Sequence, residues 1–396
     1  STPPLALIVL WYGLLFLSVW LSTPAGRAAV AAWWRRHYRP AGAVLLGGAV
    51  ILLAVSAHGY REKPLRIHFI DVGQGDCILV ETPGGKHMLV DAGGWQGEFD
   101  SGEGAGSRVV VPYLRRLGVR RLDVLVLTHP HEDHAGGAAA VAGAFPTGLA
   151  VVSPFGFSSG PAQSPSTAAG TGAPTVSDTP GANKAGLMSL VTGSKAFPAV
   201  IPTAGKYRPG SGRAASELSP AYTGLLSALA ARGVSVKPAA AGDRLRLDPA
   251  LQIDVLGPPR PLFQGTRSDA NNNSVVIRIS YGRQSILLTG DMEVEAQRAL
   301  LETGAVPACT VLKMPHHGSR YFLPAFLEAA RPAVTVISVG ARNNFGQPAP
   351  ETINLLEQTP ARIYRTDLDG AVILTTGGKT WRVETGRRRE PGGRAA

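Results

Sequence analysis

The chain has 396 residues, with 39 Lys and Arg against 28 Asp and Glu, for a formal net charge of +11. This length can bury a large core, which excludes a covalently stapled mini-protein, and the basic excess suits an anionic partner, nucleic acid or anionic membrane, better than a cationic one. Cys77 and Cys309 are the only cysteines, too few for a disulfide framework or a thiolate zinc site, so both read as small core hydrophobes.

From the N-terminus, Leu5 to Leu21 is apolar and uncharged, Arg27, Arg35, Arg36 and Arg39 follow, and Ala41 to Ala57 is apolar again. The pattern predicts two membrane-spanning helices over residues 1–60, joined by a basic loop, with Trp11, Trp20, Trp33, Trp34 and Tyr38 near their ends as interfacial belts. A chain that opens inside such a segment without Met reads as the C-terminal piece of a longer polytopic protein. The loop carries four Arg against Arg61, Lys63 and Arg66 after the second span, which predicts a cytoplasmic loop and a following domain on the outer face.

From Leu65 the pattern changes to short β-rich runs. Strands are predicted at Arg66 to Val72, Cys77 to Glu81, His87 to Asp91, Leu122 to Thr128, Leu251 to Leu256, Ser274 to Ser280, Ser285 to Thr289, Val311 to Met314 and Val334 to Val339. Helices are predicted at Val109 to Leu117, Gly137 to Phe145, Pro220 to Arg232, Glu293 to Glu302, Pro324 to Ala330 and Pro350 to Gln358. Hairpins come first and helices intersperse later, the order of a layered mixed α/β domain over residues 65–385. Residues 155–215 are rich in Ser, Gly, Ala, Pro and Thr and read as a flexible insertion; residues 386–396 read as a disordered basic tail.

One cluster carries chemistry. The run Leu122 to Thr128 leads straight into His129, His131, Asp133 and His134. Residues two apart at a strand end point the same way, so His129 and His131 can share one ion while Asp133 and His134 reach a second. Imidazole and carboxylate are ligands that Zn²⁺ or Mn²⁺ accepts. Two later apolar runs end in Asp291, placed to bridge both ions, and in His316 and His317. Asp71 and Asp76 flank a glycine turn, and with Asp91 they read as turn residues or as groups that orient a ligating His. Asn273 and Ser274 read as possible phosphate contacts. His37, His58, His68 and His87 lack metal-type spacing.

These residues resemble the metallo-β-lactamase superfamily, whose T-H-x-H-x-D-H stands here as Thr128 to His134. The fuller set is similar to the C-terminal domain of ComEC-type competence proteins, the DNA-uptake channels of bacterial transformation. It comprises Phe69 to Asp76 (FIDVGQGD), Leu89 to Gly93 (LVDAG), Leu127 to Gly137 (LTHPHEDHAGG), Asn272 to Val276 (NNSVV), Leu288 to Asp291 (LTGD) and Leu312 to Ser319 (LKMPHHGS). The resemblance implies an αββα sandwich behind a membrane hairpin, and two divalent ions held by His129, His131, Asp133, His134, Asp291 and His316. Asp133 and His317 are then the catalytic candidates, with Asp71, Asp76, Asp91, Asn273, Ser274 and Ser319 around them. It implies a deoxyribonuclease in the bacterial inner membrane that degrades the non-transported strand, with DNA and the rest of the channel as partners. Two departures stand out. No His lies between His134 and Asp291, leaving one ion weakly held, and Gln347 stands where similar sequences carry a His. A DNA-guiding module without activity, and a hydrolase of lactams, lactones or thioesters, are the competing expectations.

Overall fold

The computed structural model describes residues 4–37, 49, 63–157, 191–192, 218–304, 306 and 308–387. The expected span Ala41 to Ala57, most of the insertion at 155–215 and nearly all of the tail at 386–396 lie outside them. The chain divides into two compact units, residues 1–62 and 63–396.

In the first unit, Leu5–Ser22 is a helix with no buried residue. Among the described residues it is the one helix long and apolar enough to cross a membrane. The basic stretch read as a loop is a second helix, Pro24–His37. Its alanines and arginines are strong helix formers, and Pro24 suits a first helical position because it has no N–H to leave unpaired.

In the second unit the strands, in chain order, are β1 (Leu65–Phe69), β2 (Ile78–Glu81), β3 (His87–Val90), β4 (Leu122–Leu127), β5 (Thr147–Val152), β6 (Val191–Thr192), β7 (Ser235–Pro238), β8 (Arg244–Leu245), β9 (Gln252–Gly257), β10 (Val276–Tyr281), β11 (Gln284–Leu288), β12 (Val311–Lys313), β13 (Val334–Ile337), β14 (Arg362–Arg365), β15 (Val372–Thr376) and β16 (Trp381–Thr385). They form two sheets, ordered β16-β15-β1-β2-β3-β4-β5-β7 and β14-β13-β12-β11-β10-β9-β8-β6. β1 to β3 pair as an antiparallel meander, whereas β3, β4, β5 and β7 run parallel, as do β11 to β14.

The period of two along each strand decides which layer a side chain enters. Ile67, Val80, Val124 and Val126 meet Ile253, Ile277, Ile286 and Val336 between the sheets. Their neighbours Leu79, Leu89, Leu125 and Leu127 point outward onto Leu114, Val141 and Leu229 of the covering helices. Leu287, Leu312 and Ile337 do the same on the other sheet, against Ala296, Phe326 and Leu356. All six residues of β4 are buried, as expected of a parallel strand covered on both faces. The layers are therefore helix, sheet, sheet, helix: the αββα sandwich.

Parallel polarity fixes the site. β4, β11 and β12 all end on the same side of the sandwich, and the residues that follow each of them converge there.

Candidate metal centre

His129 lies two residues past the end of β4 and is fully buried. A relay sets its ring. Asp91, itself at a positive φ of 57° after β3, accepts the Thr128 amide and the Thr128 hydroxyl at 2.7 Å each. With its proton committed to Asp91, the Thr128 oxygen at 3.1 Å accepts from His129 Nδ1, leaving Nε2 aprotic for the site. His129 Nε2 lies 3.1 Å from His131 Nδ1. Burial lowers the pKa of both rings, holding them in the neutral form that ligates metal.

Asp133 and His134 lie in the short helix Glu132–Ala135, which begins earlier than the sequence pattern indicates. Asp91 Oδ2 also accepts His134 Nδ1 at 2.8 Å, so Nε2 faces the site, 3.2 Å from Asp291 Oδ2. Burial works against charge on His134, but Asp291, Asp133 and Asp91 outweigh it and raise its pKa well above the ordinary value. Burial raises Asp133, yet His134 and His317 more than reverse this and lower it below the carboxylate range.

The histidine pair after β12 divides its labour. His316 and His317 both adopt left-handed backbone, φ 46° and 55°, which turns adjacent side chains in different directions. His317 donates from Nδ1 to the Ser338 carbonyl at 2.8 Å. Its Nε2 stands 3.2 Å from Asp291 Oδ2 and 3.4 Å from Asp133 Oδ2. Burial pulls its pKa down, but those two carboxylates outweigh it and push it up to about 9. His316 instead sets Nδ1 3.1 Å from Glu293 and Nε2 3.8 Å from Asp291.

Asp76, His134, Asp291 and His317 form one group with ligand-type atoms mutually within 4.8 Å, and His129, Asp133 and His134 form another. His131 and His316 flank these groups. The remaining sequence candidates frame the site. Ser274 Oγ accepts the Asp291 amide at 3.2 Å. Asn273 is buried in bonds to Phe263 and Asp269 and acts on its own loop. Ser319 caps the His316 turn. Asp71 sits farther out, 3.1 Å from Arg387. Gln347 accepts from Gln74 at 2.7 Å and donates to the His316 carbonyl at 3.2 Å, pinning the left-handed turn.

Sequence reading missed two groups. Lys313, fully buried at the end of β12, places its ammonium 2.5 Å from Asp76 and 3.5 Å from Asp291 and donates to the Gly290 carbonyl at 2.9 Å. The signal was present: a Lys closing a buried parallel strand needs partners. Glu293, also buried, accepts Arg267 and Asn271 besides facing His316. Arg267 in turn lies 3.7 Å over the Tyr321 ring. Close backbone approach completes the frame: a Cβ on Gly75 or Gly94 would overlap the carbonyl oxygen of Asp133 or Glu132 respectively.

The chain is similar to known proteins. The chain is 26% identical over 316 residues to ComE operon protein 3 of Bacillus subtilis, covering 77% of this chain and 32% of that protein. It is 26% identical to competence protein ComA of Neisseria gonorrhoeae, covering 85% and 37%, and 24% identical to recombination protein 2 of Haemophilus influenzae, covering 82% and 31%. The chain thus spans about a third of the length of these relatives. The family model described as the metallo-beta-lactamase superfamily matches residues 70–340, the stretch that holds nearly every side chain of this centre, and the chain belongs to that superfamily.

Proposed function

We propose that the domain is a metal-dependent deoxyribonuclease that degrades the non-transported strand during DNA uptake, held at the bacterial inner membrane with its site on the outer face. The observation that carries the metal-dependent part is the convergence of Asp133, His134, Asp291 and His317 within hydrogen-bonding reach. DNA as substrate is supported by the competence names of the relatives and by the basic charge, which retains a phosphate backbone irrespective of its sequence.

The donor set fits two divalent cations. Four carboxylates, Asp76, Asp91, Asp133 and Asp291, are gathered around imidazoles, and Asp76 Oδ1 and Asp291 Oδ1 are buried without a hydrogen bond. His129, His131 and Asp291 would hold one ion, with His316 beside them; Asp133, His134, His317 and Asp291 would hold the other. This reading moves His317 from catalytic candidate to ligand. Such ions supply Lewis acidity: they acidify water and neutralise charge on a phosphodiester.

The chain's own residues do the positioning. Asp91 orients His134 directly and His129 through Thr128, Ser338 orients His317, and Gln347 fixes the turn between them. Lys313 pairs with Asp76 and with the second oxygen of Asp291, placing a fixed positive charge between them inside the buried site. His131 and His316 are less deeply buried than the other histidines of the centre, and in this reading they are the ones nearest an arriving phosphodiester.

The test is metal content measured together with cleavage of labelled single- and double-stranded oligonucleotides across a Mn²⁺ titration. Wild type should cleave both without sequence preference, and the Asp133→Ala, His134→Ala double variant should lose metal and cleavage together. Bound metal without cleavage at any Mn²⁺ concentration would favour the DNA-guiding module.

A further inference from the structure

Strand polarity that gathers the site at one end of the sandwich leaves a second, differently built end. β1, β3, β4, β12 and β14 all begin there, opposite the ends that carry His129, Asp291 and His317. The chain enters the domain at this base, through Lys63 and Leu65. The helix Val111–Arg116 ends at it in Arg115 and Arg116, and the link to β4 adds Arg120 and Arg121, all exposed. Lys86, on the turn between β2 and β3, shares the single carboxylate of Asp123 with Arg121.

The two sheets meet at this base. Arg283 donates its amide to the Gly378 carbonyl, and Trp381 Nε1 donates to Thr310. Between them opens a cavity of about 340 Å³ walled by Tyr364 and Trp381 and lined by exposed Arg362 and Lys379. Exposed carboxylates at the base are few, chiefly Glu302, Glu328 and Glu357 in the last turns of helices. Basic side chains beside half-buried Trp and Tyr are the combination found at a headgroup layer, where cations meet lipid phosphate and amphipathic rings lie at the interface.

We propose that the base of the sandwich docks on anionic lipid headgroups, so that the metal centre points away from the bilayer. The inference rests on the membrane location proposed above. An extended nucleic-acid strand is a weaker occupant of this end: the arginines crowd around one helix terminus, and the metal ligands lie at the opposite side of the sheets.

The experiment uses the full chain reconstituted in vesicles of phosphatidylcholine, alone or mixed with phosphatidylglycerol. Cys77 and Cys309 are buried, so a fluorophore can be placed at Leu117→Cys on the base or at Phe345→Cys on the site-end loop, positions 42% and 70% exposed. A nitroxide carried on the lipid headgroup is the quencher. With phosphatidylglycerol present, quenching at Leu117→Cys should exceed that at Phe345→Cys by about threefold or more and fall as salt screens the headgroups. Changing Arg115, Arg116, Arg120 and Arg121 together to Gln should abolish the difference. Equal quenching at both positions, or quenching at Leu117→Cys indifferent to phosphatidylglycerol and salt, overturns the proposal. So does a single-stranded oligonucleotide that shields Leu117→Cys where lipid does not quench it. A chain that co-floats with vesicles without the difference defeats docking alone; one that does not co-float defeats the membrane location as well.

Discussion

At the residue scale the centre is a problem in buried charge. Lys313 is the fixed cation among Asp76 and Asp291, and burial, which alone would lower its pKa, is outweighed by those carboxylates. Removing one member of a buried pair costs about 3–5 kcal/mol, because the other is left uncompensated. Lys313→Met should therefore lower the urea midpoint sharply in chelator and recover part of the loss in Mn²⁺, which replaces the missing positive charge; an unchanged midpoint in chelator would contradict this role. A second buried pair lies away from the metal ligands. His68 contacts Glu81 at 3.0 Å and Tyr113 at 3.0 Å. The bond from His68 lowers the Glu81 pKa below its ordinary 4.5. A carboxylate depressed in the folded state stabilises above its unfolded pKa, and that contribution disappears as pH falls through the folded value. Glu81→Gln should thus flatten the acid side of the stability profile below about pH 5, measured by urea unfolding at successive pH values; an unchanged acid slope would contradict it.

At the scale of elements, helix and loop termini are held by buried carboxylates. Glu98, almost wholly buried, accepts the amides of Trp95, Ala105 and Gly106, the last two where the helical stretch Gly106–Arg116 starts. Glu98→Ala leaves those donors unpaired and should cost about 2–4 kcal/mol in chemical denaturation. Such tertiary caps explain what the sequence reveals and what it conceals. β4, β10, β11 and β13 are legible because they are apolar runs flanked by turn residues. The edge strands β14 (RIYR) and β16 (WRVET) are not: their exposed faces carry charge, and pairing with a neighbour defines them. β7 ends in Pro238, which argues against a strand until β5 is seen beside it. The helix Pro24–His37 looks like a basic loop in the sequence because its arginines stand out as charge, although they are also good helix formers. At the site, the spacing of His129, His131, Asp133 and His134 announces metal. The separate placement of His316 and His317 depends on two successive left-handed residues, which no side-chain pattern encodes.

At the scale of the whole molecule, a ligand that binds only the folded state stabilises it by mass action. Metal at about a hundred times its dissociation constant adds about 2.7 kcal/mol. Calorimetry should show the melting temperature falling on chelation and rising in two phases across a Mn²⁺ titration: first the site with Asp133, His134 and His317, then the weaker one at His129 and His131. A single phase with one ion bound at saturation would mean that His129 and His131 cannot hold metal unaided. The close backbone approaches at Gly75 and Gly94 carry a consequence for how this centre would look to saturation mutagenesis. The ligand loops touch main chain to main chain there, so any side chain at either position pries Asp133 or Glu132 from its neighbours. Scored by activity alone, these glycines should be as intolerant as the histidines. Scored by abundance, the two classes should separate: ligand substitutions that leave the carboxylates beside Lys313 intact give folded, inactive protein, whereas glycine substitutions deplete it. The functional map of this domain is therefore larger than its chemistry, and only a paired abundance screen would trace the line between them.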